Sequence, residues 1–171
     1  SPKYLIVKSA GNDRGDSGNG SFPSDGPYDT VAGASILKNV LIVGAARKST
    51  VGYDSPQNIK MSTFSGWGPT DDGRIKPDIV SIGVDILTSG GGADNDYQTT
   101  NGTSFSSPAA CGGLALVQEL NKSLSNTFLT ACALKSLAIH TANQTGDLGP
   151  DYRFGWGLLN IKKACNYLLN K

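Results

Sequence analysis

A single histidine, His140, stands in 171 residues, so one imidazole at most is available for acid–base chemistry. The three cysteines, Cys111, Cys132 and Cys165, match no metal-ligand spacing. All three fall in apolar helical surroundings and read as buried free thiols, with a Cys132–Cys165 disulfide left open. Neither charge sign dominates. Fifteen basic against fourteen acidic residues give a net charge of +1, and no Lys/Arg run tracks a phosphate backbone or an anionic bilayer. Nucleic acid and membrane surfaces are therefore excluded as expected partners. No apolar stretch is long enough to span a bilayer, and the N-terminus lacks the basic–apolar–small progression of a leader peptide. The chain opens instead on Tyr4-Leu5-Ile6-Val7, which leads us to expect that an upstream part of the domain is missing.

The 22 glycines fall at turns between apolar runs rather than in one tract. Tyr4–Val7, Val40–Val43 and Ile79–Ile82 have the β-branched character of strands buried on both faces, hence a parallel sheet. Ile59–Ser65, Asp85–Thr88 and Tyr97–Thr100 read as shorter or edge strands. Periodicity predicts helices over 104–121, 126–141 and 158–169. Pro108 is tolerated in an opening turn. The small run Ala109-Ala110-Cys111-Gly112-Gly113 calls for close approach of another backbone to offset two helical glycines.

Asn101-Gly102-Thr103-Ser104-Phe105-Ser106-Ser107-Pro108 puts a serine where a glycine turn becomes a helix. A helix N-terminus offers unpaired N–H groups and positive dipole, which favour a developing alkoxide or oxyanion. Alone, Ser104 would be no more than a helix cap. A nucleophile elbow of the Gly-x-Ser-x-Gly kind is ruled out because position 106 is Ser and no Asp separates Ser104 from His140. Lys8-Ser9-Ala10-Gly11-Asn12 closes the first strand with a carboxamide that could serve as an oxyanion donor, although Asn in such a loop is ordinarily a turn former. Two further blocks follow, Phe64-Ser65-Gly66-Trp67-Gly68-Pro69 through Lys76-Pro77-Asp78-Ile79-Val80, and Asp151-Tyr152-Arg153-Phe154-Gly155-Trp156-Gly157-Leu158-Leu159-Asn160. No phosphate loop is present, since neither Gly-x-Gly-x-x-Gly nor a Walker pattern occurs and Gly90-Gly91-Gly92 precedes no apolar helix.

Taken in order, these blocks resemble the subtilisin-like serine peptidases (subtilases, peptidase S8). The departure is Ser81-Ile82-Gly83 where the family usually has Ala-Pro-Gly. The resemblance implies an α/β fold, part of a doubly wound, mainly parallel sheet flanked by helices with its N-terminal strands absent. Residues 1–171 would be the C-terminal portion of one catalytic domain. It further implies that Ser104 is the nucleophile, that Asn12 and the Ser104 N–H form the oxyanion hole, and that Ser9, Ala10, Gly11, Gly102 and Thr103 bind substrate. The family's triad Asp and His precede the Asn segment. His140 then reads as structural, and the chain alone as nearly inactive. The expected partners are a protein or peptide substrate, the N-terminal remainder of the domain and, through an exposed strand edge, a second copy of the chain. Family habit places the parent outside the cell or in the periplasm. No cofactor is expected. Asp13, Asp16, Asn19, Asp25 and Asp29 offer hard oxygens suited to calcium, but in no EF-hand spacing; a solvated loop is the preferred reading, with calcium the alternative. Asp94, Asn95 and Asp96 are read the same way.

Overall fold

The computed structural model describes residues 3–15, 26, 28–51 and 53–170. Asp16, Asn19 and Asp25 of the acidic loop lie outside the described residues. Among those described, no group of His, Cys, Asp and Glu is arranged to hold a metal.

Three parallel strands form the sheet: β1 (Ile6–Ser9), β2 (Val40–Ala46) and β3 (Ile79–Ile82), in the order β1-β2-β3. Register is set by Ile6 opposite Val40 and Val43 opposite Ile79. Every residue of β2 is buried, the property its unbroken apolar run predicts for a central parallel strand. β1 begins two residues later than the apolar run at Tyr4 suggests, because its register follows β2. A hairpin of β4 (Ile86–Ser89) and β5 (Tyr97–Thr100) stands apart as an antiparallel pair. The segment 59–65 is not a strand; only Met61 bridges to Ala46. Its serines explain the difference, for Ser62 Oγ and Ser65 Oγ accept the N–H groups of Ser65 and Ala45 and so replace a ladder with side-chain bonds.

Helix α1 (Thr103–Ser125) crosses the sheet, and α2 (Ala131–His140) and α3 (Ile161–Leu169) pack beside it. α1 outruns its predicted end and stops where Asn126 adopts the left-handed conformation. α2 therefore starts late, at a Thr130 cap whose side chain accepts the Ala133 N–H. Asn160 caps α3 in the same way, while Leu158 is taken up in bridges to Val80 and Asn143. Leu41, Val43 and Ile79 meet Ala110, Leu114 and Val117 of α1 in the main core, which α2 and α3 complete with Leu134, Leu137, Ala138, Ala164 and Leu168. Val40 and Ile42 face the other way, toward Val31 and Ile36.

Two expectations about small residues are corrected. The cysteines are free but not buried: Cys111 and Cys132 are exposed and Cys165 half-buried. Cys111 lies on α1 beside the open edge of β1, sharing a cavity wall with Tyr4, Leu5 and Val7, and the later start of α2 sets Cys132 in its first turn. Of the two helical glycines, Gly113 leaves room for the Ile161 side chain of α3, whereas Gly112 meets nothing.

One polar cluster is locked inside. Asp78 takes Lys76 Nζ at 2.8 Å and Lys135 Nζ at 3.0 Å, and accepts the Ile42 N–H at 2.7 Å. Lys76 is 2% exposed. Burial pulls its ammonium below the ordinary value, against the upward push of the bond to Asp78. The cluster ties β2, the start of β3 and α2 together toward the amino ends of the strands.

Candidate active site

β1 delivers its last residues to the carboxyl edge of the sheet, where Ala10 N–H still bonds Val43 O at 3.0 Å. Gly11 then turns the chain with φ 101°, a conformation suited to glycine, and its carbonyl accepts the Gly66 N–H at 2.9 Å. The turn aims Asn12 at the start of α1. Asn12 Oδ1 accepts both the Thr103 N–H at 3.0 Å and the Thr103 hydroxyl at 2.9 Å. Gly102, the residue that precedes α1, supplies no side-chain cap. Asn12 thus caps the helix from across the sheet, satisfying one of the N–H groups a helix leaves orphaned.

That cap has a chemical consequence. With Oδ1 engaged twice, Nδ2 is the end of the carboxamide left to donate. Ser104 follows Thr103 directly, is exposed, and makes no hydrogen bond through its N–H or hydroxyl to any described residue. An exposed hydroxyl, a free helix N-terminal N–H and an adjacent amide donor are the groups that acyl transfer through a tetrahedral oxyanion requires, apart from a base.

The start of α1 is held from behind. Gly102 N–H bonds Gly83 O at 2.8 Å, and the buried Ser106 hydroxyl bonds Thr103 O at 3.0 Å. A Cβ on Gly83 would stand 2.7 Å from Gly102 O and 2.8 Å from Ala45 Cβ. β3 and α1 therefore approach as closely as they do only because residue 83 has no side chain. Gly83 belongs to the segment that departs from the usual family pattern, and the departure leaves this glycine in place.

Beside Asn12 opens a cavity of about 870 Å³ whose wall includes Lys8, Ala10, Gly11, Asn12, Asp13 and Thr30. The predicted substrate-binding residues divide accordingly. Ala10 and Gly11 line the cavity; Ser9 does not, its hydroxyl and carbonyl accepting from Lys8 Nζ at 3.1 Å. Gly102 and Thr103 are buried, and Thr103 is spent on Asn12. Sequence reasoning missed the Asn12–Thr103 pair, since no local pattern links positions 91 residues apart. Gly83 was missed as well, and the only signal for it was a glycine at a strand end.

His140 stands elsewhere. It ends α2, sits edge-on to the Tyr167 ring at 5.4 Å between centroids, and lines a separate cavity with Leu129 and Leu168.

Open parallel α/β sheets bind ligands at the carboxyl ends of their strands, which is where Asn12 and the start of α1 meet. The subtilase family matches residues 2–157, and the chain belongs to it. Among its relatives, alkaline elastase YaB of a Bacillus species is 31% identical over 160 residues, 94% of this chain and 32% of that protein. The C5a peptidase of Streptococcus pyogenes serotype M3 is 38% identical over 89 residues, 48% of this chain and 7% of that protein. The chain thus spans about a third or less of the length of these relatives. In solved structures the fold recurs in the CspB protease of Clostridium perfringens, with TM-score 0.72, 28% identity, and coverage of 88% of this chain and 31% of that one. It recurs also in a lanthipeptide protease, with TM-score 0.73, 20% identity, and coverage of 97% and 51%. The doubly wound, subtilisin-like α/β architecture expected from the sequence is therefore the fold of this chain.

Proposed function

We propose that the chain is the C-terminal portion of one serine endopeptidase domain, carrying the nucleophile and the oxyanion hole of a peptide-bond hydrolase. Ser104 Oγ attacks the scissile carbonyl carbon while its proton passes to a base. Asn12 Nδ2–H and the Ser104 N–H bond the oxyanion. Collapse breaks the C–N bond, the leaving amine takes the proton, and water then hydrolyses the acyl-enzyme by the reverse sequence. The wall Ala10–Gly11 flanks the side chain of the residue before the scissile bond. Substrates are proteins or peptides.

The observation that supports this reading most directly is the pair of hydrogen bonds that Thr103 donates to Asn12 Oδ1, which leaves the amide's donor end free beside an exposed Ser104. No base is hydrogen-bonded to Ser104 among the described residues, and the sole histidine stands edge-on to Tyr167 in the wall of another cavity. The base therefore comes from polypeptide outside this sequence, an upstream Asp–His pair in the resemblance to the family, and the chain by itself is nearly inactive. The parent works outside the cell or in the periplasm.

A fluorophosphonate probe applied to the full-length parent and to this chain, with the adduct located by peptide mapping, tests the assignment. Labelling of the parent at Ser104 and none on the chain is the expected result. A folded parent that takes no label would make the domain a peptide-binding relative without catalysis.

A further inference from the structure

Another cavity, of about 420 Å³, shares no lining residue with the one beside Asn12. Its wall carries three cations, Arg14, Lys60 and Arg153, against one carboxylate, Asp147. Arg153 is already paired with Asp147, Nη2 to Oδ2 at 3.0 Å. That leaves Arg14 and Lys60 without a counter-charge, and the Lys60 ammonium makes no hydrogen bond or ion pair to any described residue.

The state of Arg14 is unusual. Its guanidinium carbon lies over Trp67, Cζ 4.0 Å from the ring centroid. Stacking uses the face of a guanidinium and leaves its in-plane N–H fork unspent. Arg14 Nη1 and Trp67 Nε1 are both shut from solvent and both lack an acceptor. Unmade bonds at buried donors are costly, more so at a charged one. Burial also lowers the Arg14 pKa from its ordinary value, although the group remains charged. Two unpaired donors, which an acceptor reaches only when the Arg14 side chain shifts, and an unpaired ammonium thus belong to residues that line one cavity.

We propose that this cavity binds a carboxylate carried on a polypeptide, bonded by the Arg14 fork and the Trp67 indole N–H and drawn in by Lys60. A planar two-oxygen acceptor matches a guanidinium edge. Ile59, Met61 and Phe154 complete the wall and suit the methylene stem of an acidic side chain. The site is distinct from the peptidase reading and does not depend on Ser104.

Trp67 provides the reporter. In ¹⁵N-labelled chain its indole cross-peak, told from that of Trp156 by its loss in Trp67→Phe, is followed during titration at constant ionic strength. The probes are N-acetylglutamate amide, with a side-chain carboxylate, and N-acetylglycylalanine, with a terminal one; inorganic phosphate and sulfate are the controls. We expect a saturable shift of the Trp67 peak with at least one carboxylate probe and little movement of Trp156. The tighter probe identifies which kind of carboxylate the site takes. Arg14→Gln should weaken binding about tenfold or more, the loss of a charge-assisted bond. Lys60→Gln, at an exposed position that does not test folding, should weaken it a few-fold. The proposal is overturned by the absence of a shift with both probes, by equal or tighter binding of phosphate or sulfate, or by undiminished affinity in Lys60→Gln together with any folded Arg14 variant.

Discussion

Asn12 does two things with one carboxamide. Its oxygen caps α1 through Thr103, and its nitrogen is thereby oriented as a donor. Under the proposed mechanism, Asn12→Ala in the complete enzyme should lower kcat by about 10²–10³-fold with KM little changed, a magnitude measured for this donor in a member of the same family and carried over as such. A matched rise in KM with kcat intact would assign Asn12 to substrate binding instead. Titration belongs to this scale too. The Asp72 carboxyl is held down to about 2, from an ordinary 3.8, chiefly because Arg74 Nε bonds both of its oxygens and secondly because the Thr70 hydroxyl bonds one. A carboxyl with a depressed folded-state pKa lends stability that is fully present above its unfolded value and is lost as pH falls through the folded one. The turn 70–74 should therefore keep its closure at pH 5 and loosen between about pH 4 and 2. Carboxyl carbon shifts of Asp72 followed by NMR check this; a midpoint near the ordinary value would show that the Arg74 pair does not persist in solution, as exposed pairs often do not.

At the scale of elements, the seat of Ser104 depends on how closely β3 meets α1. Gly83→Ala forces a Cβ against Gly102 O and Ala45 Cβ, which overpacking data put at about 1–3 kcal/mol. The displaced helix start should also reduce fluorophosphonate labelling of the parent. A thermal melt separates the two effects, since normal labelling with a lowered Tm would mean that the site tolerates the shift. Asp78→Ala acts at the other end of the strands: it leaves Lys76 buried without its counter-charge, at a cost of about 3–5 kcal/mol, read by urea unfolding. An unchanged midpoint would mean that Lys76 swings out to water.

Much of this layer was legible in the sequence. The runs at 40–43 and 79–82 declared themselves by their β-branched character, and the long helix by its periodicity. What failed had physical causes. Gly44-Ala45-Ala46 extends β2 without an apolar signal, segment 59–65 exchanges a ladder for serine hydroxyl bonds, and Asn126 lengthens α1 at the expense of α2. The site was legible only as separate motifs: Ser104 and Asn12 could be named, but the Thr103 link between them is a tertiary fact. So is the Arg14–Trp67 stack, which joins a loop residue to a later motif that had been read only as a family landmark.

For the whole molecule, the two edges of the sheet differ. Along β3, Val80 exchanges bonds with Gly157 O and the Leu159 N–H, so that edge is covered. Along β1, no described strand pairs on the outer side, and Tyr4 and Ile6 are 72% and 49% exposed. The outward side of α1 continues the bare surface: Ala109, Cys111, Gly112, Ala115 and Leu116 are all exposed, and the helix carries no charge before Glu119. An open parallel edge beside an uncharged helix face is a poor surface to leave in water. If the upstream part of the domain covers it, three measurements move together. The isolated chain should self-associate with rising concentration in sedimentation velocity, and Ile6→Lys should suppress this by charging the edge. A separately produced upstream half, added in equal amount, should also suppress it, and in the same mixture restore labelling at Ser104. Reconstitution to a stable heterodimer without labelling would leave the docking surface intact and remove the catalytic reading, whereas self-association indifferent to Ile6→Lys would move the sticky surface away from β1.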